Sequence, residues 1–324
     1  MRIVVIGATG HIGTYLVPRL AQAGHTVIAL SRGKRVPYRP DGAWNFVERE
    51  TVDRQTEEQA GTFGERIRAL RPDVVVDLIC FREDSARHLV EALRGDIQHF
   101  LHCGTLWVHG PTEVAPTSEA QPRKPFGDYG VHKAAIEQYL LDQARRHGFP
   151  ATVLHPGHIV GPGWPPVNPQ GHWEPSVFST LAAGEPVALP DLGLATLHHV
   201  HADDVAQAFQ RAIEYRSVTV GESFHVASPA ALTLRGYAKA VARWFGREAN
   251  LQYLPWPEWQ QGVAEGPAEA TWSHIAHSPC ASIAKAQQFL GYQPRYSSLE
   301  AIRESMDWLV AANVVDAPTL RGTS

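Results

Sequence analysis

Two rhythms of apolar residues alternate along the first half of the chain. Residues 3–6 form an unbroken apolar run, the mark of a strand buried on both faces. Ile12, Leu16 and Leu20 then recur at helical spacing across 12–23, and 26–30 reads as a second strand. After a polar stretch the same alternation returns: helix over 57–70, strand over 74–79, helix over 85–93, strand over 99–103, helix over 129–147 and strand over 151–154. Strand, helix and strand repeated in this way predict parallel strands joined by right-handed crossovers, an α/β doubly wound sheet.

Beyond about residue 156 the pattern changes. Proline and glycine crowd 156–169, and tryptophans accumulate at Trp164, Trp173, Trp256, Trp259 and Trp272. Helical periodicity persists over 202–215, 234–245 and 298–311, but the strands between are isolated. The reading is a doubly wound domain over 1–156 and a smaller α+β lobe over 157–324, with segments such as 222–226 returning to the main sheet.

Composition narrows this picture only modestly. Hydrophobic residues make up 44% of the 324, an ordinary globular fraction. A net charge of −4 argues against general attraction to nucleic acid or a membrane surface. No run approaches the roughly 20 apolar residues of a membrane helix. Cys80, Cys103 and Cys280 are scattered and odd in number, which suggests reduced thiols and a cytoplasmic setting rather than a disulfide framework.

Candidate chemistry begins at "VVIGATGHIG". Gly7, Gly10 and Gly13 lie three apart between a strand and a helix. There they suit a tight turn, close approach of a ligand and close helix–strand packing, with a pyrophosphate at the helix start. The second strand runs into Ser31 and Arg32, followed by Lys34 and Arg35, where an NAD site would carry a carboxylate. A guanidinium there favours the 2′-phosphate of NADP(H), although NAD(H) stays open. "YGVHK" places Tyr129 and Lys133 on one helix face, and Thr105 follows the strand at 99–103, at the carboxyl edge of the sheet.

These stretches, with "HPGHIVGPG", "HVHADDVAQAF" and "LGYQPRYSSLEAIRESMDWL", resemble the extended, epimerase/dehydratase-like branch of the short-chain dehydrogenase/reductase superfamily, a Rossmann fold. The resemblance implies Thr105, Tyr129 and Lys133 as the catalytic set. Tyr129 would exchange the proton, Lys133 would lower its pKa and hold the nicotinamide ribose, and Thr105 would orient the reacting oxygen. The implied cofactor contacts are Gly7, Thr9, Gly10, His11, Ile12, Gly13, Ser31, Arg32, Leu78, Tyr129, Lys133, Pro156, His158 and Ile159. Asp203 falls in the segment that anchors the lobe, and a helix-mediated homodimer is common in the family.

The departures from the family pattern carry information too. Dehydratases of this branch have Thr-Asp-Glu where this chain has Thr105-Leu106-Trp107, and neither replacement moves a proton. Epimerases carry an arginine before "HVHADD" to clamp a diphosphate. None stands in "GLATLHHVHADD", and Arg295 is the residue that could compensate. Trp107 and Trp164 are candidate substrate contacts in an apolar or aromatic pocket, while the lobe tryptophans read equally as core. His198, His199 and His201 read as structural anchors, so no metal is assigned. His109 and His132 replace usual residues of the family and receive no role.

Three functions compete. One is an NADP(H)-dependent reductase or dehydrogenase of a small, aromatic or polyketide-like carbonyl. Another is a nucleotide-sugar epimerase with tightly held NAD(P). The third is a non-catalytic RNA-binding protein, because "DVVVDLICFREDSARHLVEAL" is similar to the chloroplast stem-loop RNA-binding members of the branch. The acidic balance and the intact Tyr129/Lys133 pair argue against the third, leaving a small molecule as the expected partner.

Overall fold

The computed structural model describes residues 1–317. Strands β1 (Arg2–Ile6), β2 (Thr26–Ser31), β3 (Glu48–Thr51), β4 (Val74–Asp77), β5 (His99–Cys103) and β6 (Ala151–Pro156) build the main sheet. Four short strands follow: β7 (His158–Val160), β8 (Val187–Pro190), β9 (Thr196–Leu197) and β10 (His199–His201). β11 (Ser223–Val226) then rejoins the main sheet, and β12 (Leu232–Thr233) and β13 (Leu251–Leu254) complete the set. The sheet is parallel throughout, in the order β11-β6-β5-β4-β1-β2-β3. Its order reverses at β1/β4, where an open α/β sheet leaves a crevice for ligand at the carboxyl ends of its strands.

The apolar runs dictate this arrangement. Ile3, Val4, Val5, Val75, Val76 and Leu101 are fully buried, because helices cover both faces of the sheet. One face packs against the helices His11–Gln22 and Ala202–Glu214, the other against Phe63–Ala69, Glu83–Leu93 and Gly127–His147. A separate core unites the helices Ser176–Ala183, Leu234–Trp244 and Ser298–Ala311 with β8. Around it the remaining strands pair two by two: β10 with β7, β12 with β9 and β13 with β8. The segment expected at 222–226 does return to the main sheet, with Phe224 opposite Leu154.

Two expectations change. The single helix over 57–70 is two helices, Arg54–Gln59 and Phe63–Ala69, because Gly61 takes φ +71° and turns the chain between them. β3 was hidden in the polar stretch: "ERET" has no apolar alternation because it is the exposed edge of the sheet, held in register by Ile28 opposite Glu48. None of the described helices is long and apolar enough to cross a membrane.

Asp203 ties the sheet to the C-terminal segment. It accepts from Arg19 Nε at 2.8 Å and from Arg295 Nη1 at 3.0 Å. Arg295 is thereby engaged away from the cleft described next, and the expectation that it compensates for a missing clamp is corrected.

Candidate active site

A cleft of about 1050 Å³ runs over the carboxyl edge of the sheet and under the second core. Every residue singled out from the sequence for cofactor or substrate contact lines it, including Thr9, Ile12, Leu78, Pro156 and Ile159.

At one end the turn after β1 folds back on itself. The Gly7 and Ala8 N–H groups both donate to the Leu30 carbonyl at 3.0 Å, and Gly7 adopts φ +88°. A Cβ on Gly13 would lie 2.2 Å from the Ala8 carbonyl oxygen, so only glycine lets the helix sit this close to the turn. The helix opens at Gly10 with no side-chain cap, which leaves its first N–H groups facing the cleft as an anion cradle. His11 stands beside them, stacked on Trp164 at 5.3 Å, and its Nε2 has no partner among the described residues. Burial, then the neighbouring His201, lowers its pKa to about 3, so this ring is neutral at pH 7.

Ser31, Arg32, Lys34 and Arg35 form the adjoining rim. Arg32, Lys34 and Arg35 are exposed and make no ion pair among the described residues. Val52, Asp53 and Arg54 complete this end, and the sequence reading missed them because they follow the unrecognised β3. Arg54 is buried and donates through Nη1 to Asp77 at 2.7 and 3.0 Å and through Nε to Glu58 at 2.6 Å. Burial alone would lower its pKa, but Asp77 and Glu58 outweigh that and raise it. The available signal was Asp77 itself, a carboxylate inside the otherwise apolar run 74–79.

Midway along the cleft lie Thr105, Tyr129 and Lys133. Lys133 is buried and donates to the carbonyls of Cys80 and Cys103, each at 2.7 Å. Its Nζ sits 5.9 Å from the Tyr129 ring centre. Tyr129 keeps 43% of its surface open to the cleft, yet its pKa is pushed up to about 12. Desolvation of the phenol is the first cause and the Cys103 thiol adds to it, while a hydrogen bond with the Thr105 hydroxyl opposes them. Lys133 is not among the causes of this shift; its Nζ donates to the two carbonyls and stays 5.9 Å from the Tyr129 ring centre.

The far end is walled by rings. Trp107 meets Tyr129 edge-on at 5.8 Å and stacks on His277 at 4.2 Å. His274 lies 4.8 Å from His158, 4.9 Å from Trp173 and 5.2 Å from Trp107. Burial is the first cause lowering the pKa of His158, His274 and His277, so these imidazoles are neutral at pH 7. The lysines and arginines lining the cleft are Arg32, Lys34, Arg35, Arg54, Arg82 and Lys133, and its carboxylates are Asp53 and Glu58. None belongs to the ring-walled end. The tryptophans divide: Trp107, Trp164 and Trp173 line the cleft, Trp259 is core, and Trp256 stacks on Trp259 away from it.

The remaining histidines are accounted for by ordinary contacts. His198 binds the Ser228 carbonyl, His199 the Val167 carbonyl, and His201 caps the helix Ala202–Glu214. His109 shares a 2.8 Å contact with His225, and His132 is half-buried. No group of three or more metal-binding side chains forms among the described residues.

Residues 3–227 match the NAD dependent epimerase/dehydratase family, and the chain belongs to it as an extended short-chain dehydrogenase/reductase. The match supports an enzyme that uses a nicotinamide dinucleotide. Among its relatives is the 2'-dehydrokanamycin reductase of Streptomyces kanamyceticus, 27% identical over 281 residues, covering 85% of this chain and 76% of that protein. Another is the chloroplast stem-loop binding protein of 41 kDa b of Arabidopsis thaliana, 25% identical over 316 residues, covering 94% of this chain and 78% of that one. The fold is also that of the Thermus thermophilus UDP-glucose 4-epimerase in complex with NAD, at TM-score 0.72 and 23% identity, covering 96% of this chain and all of the other (100%).

Asp77→Ala leaves the buried Arg54 guanidinium with Glu58 as its remaining carboxylate partner and several N–H groups unsatisfied. The variant is expected to destabilise the protein by about 2–3 kcal/mol in urea unfolding. A loss below about 1 kcal/mol would show that water or relaxation satisfies Arg54 instead.

Proposed function

We propose that this chain is an NADP(H)-preferring carbonyl reductase, running in reverse as an alcohol dehydrogenase, for a small uncharged substrate of aromatic or polyketide-like character. The observation that carries the reading is the pairing of a protonated phenol with a substrate end that has neither cation nor carboxylate. A nucleotide sugar brings a diphosphate that needs positive charge, and the rings of Trp107, Trp173, His158 and His274 supply none. Elimination needs an acid and a base at the position of Leu106 and Trp107, and neither side chain serves. The name of the reductase relative points the same way.

The cleft fits the cofactor on its own chemistry: an uncapped helix start for the pyrophosphate, and free cations at Arg32, Lys34 and Arg35 for a 2′-phosphate. Hydride for the carbonyl carbon is the chemistry a nicotinamide would supply when held there. Thr105 holds the carbonyl oxygen, and Tyr129 gives its proton to that oxygen as negative charge develops there. A phenol raised to about 12 is fully protonated and available for this step. The phenolate regains a proton from solvent on its open side, and Lys133 would hold the nicotinamide ribose. An epimerase reading draws on the structural neighbours, but it lacks a clamp for the nucleotide. An RNA-binding role fits poorly with a net charge of −4.

Screening ketones and nucleotide sugars with NADPH by nicotinamide absorbance tests the reading. Net oxidation with an aromatic ketone supports it, and interconversion of a nucleotide sugar without net oxidation overturns it. Tyr129→Phe is expected to lower kcat about 10²–10⁴-fold while NADPH still binds; retained turnover would route the proton elsewhere. Arg32→Ala is expected to weaken NADPH on the order of tenfold and leave NADH unchanged, as loss of one charge-assisted contact does. Equal effects on both cofactors would remove the NADP(H) assignment.

A further inference from the structure

A buried relay of polar groups ends on the backbone of Thr105. Arg123 forks onto Glu137, with Nε to Oε2 at 2.9 Å and Nη2 to Oε1 at 2.6 Å. The Glu119 and Gln121 carbonyls hold the same guanidinium at 2.7 and 2.9 Å. Glu137 Oε1 also meets His155 Nε2 at 2.9 Å, and His155 Nδ1 lies 3.0 Å from the backbone nitrogen of Thr105. The side chains of His155 and Glu137 are 0% and 3% exposed. Thr105 Oγ1 accepts from the Trp107 N–H at 3.3 Å and is near enough to the Tyr129 phenol to lower its pKa.

The chemistry of this chain fixes the ring. A backbone N–H only donates, so Nδ1 is the acceptor and the proton sits on Nε2, directed at the carboxylate. An arginine or lysine at 155 would satisfy Glu137 but could not accept from Thr105. An aliphatic residue would satisfy neither. Gly104 belongs to the same device, since a Cβ there would stand 2.3 Å from His155 Nδ1.

We infer that His155, oriented by Glu137 and Arg123, is a positioning residue that holds Thr105, and through its hydroxyl Tyr129, in register for proton transfer. This rests on the roles proposed above for Thr105 and Tyr129. It adds a requirement they do not contain: an acceptor at 155, fixed in one tautomer by a half-buried ion pair. Burial works against the Glu137 carboxylate, but His155 and Arg123 outweigh it and hold its pKa well below the usual range, so the anchor stays charged.

His155→Leu and His155→Asn test the inference in the full-length protein with NADPH and the ketone that it reduces. Leucine removes the acceptor, and asparagine keeps one for the Thr105 N–H. The leucine variant is expected to lose about 10–100-fold in kcat, the scale of a misplaced reacting group, with the NADPH Kd unchanged. The asparagine variant is expected to recover most of that loss. Equal kcat in both variants and the wild type would overturn the inference, as would equal losses in two folded variants. Should leucine prevent folding, ¹⁵N imidazole spectra of the wild type decide: the Nε2–H tautomer supports the anchor and the Nδ1–H tautomer overturns it. That readout needs no turnover, so a protein that reduces no ketone would refute the proposed function separately from the anchor.

Discussion

The site is organised around one desolvated ammonium. Lys133 lies beneath the edge of the sheet, where an unpaired charge would cost several kcal/mol. It is satisfied by two carbonyls, one just past β4 and one at the end of β5, each 2.7 Å away. Those bonds set the rotation of the Gly127–His147 helix against both strands. With that rotation fixed, the residue one turn earlier has a single place to go, and Tyr129 projects into the cleft beside Thr105. Burial is the first cause of the phenol's raised pKa.

The rest of the cleft is electrostatically lopsided. Arg32, Lys34 and Arg35 gather at the end of β2 beside the glycine turn, where a dinucleotide phosphate would lie. Beyond Tyr129 the walls are indole and neutral imidazole, stacked and edge-on at 4–6 Å spacings such as Trp107 with His277 at 4.2 Å. Neutral rings in a partly enclosed space favour flat uncharged ligands over phosphate esters.

Much of this was legible in the sequence, because apolar periodicity and glycine spacing report local constraints. The strand at 99–103 and the helix at 298–311 were read to the residue, and the turn at Gly7–Gly13 was placed from its spacing alone. β3 was not legible: an edge strand faces water, so its composition is that of a loop. Arg54 was missed with it, since its meaning depends on Asp77, 23 residues away. His155 gave no sign either. The role inferred for it depends on Glu137, from the Gly127–His147 helix, and on the Thr105 N–H, which the pairing of β5 with β6 brings alongside. Pairings distant in sequence leave no periodic trace, and for the same reason Arg295 looked available when Asp203 already held it.

The central claim is that the cleft passes a hydride and a proton to a substrate and releases both in the product. Tracing deuterium from C4-labelled NADPH tests this most directly. The account expects one deuterium on the carbinol carbon of each released alcohol, matched by one oxidised cofactor. Deuterium that stays on the cofactor while a sugar inverts, with no net oxidation, would contradict it.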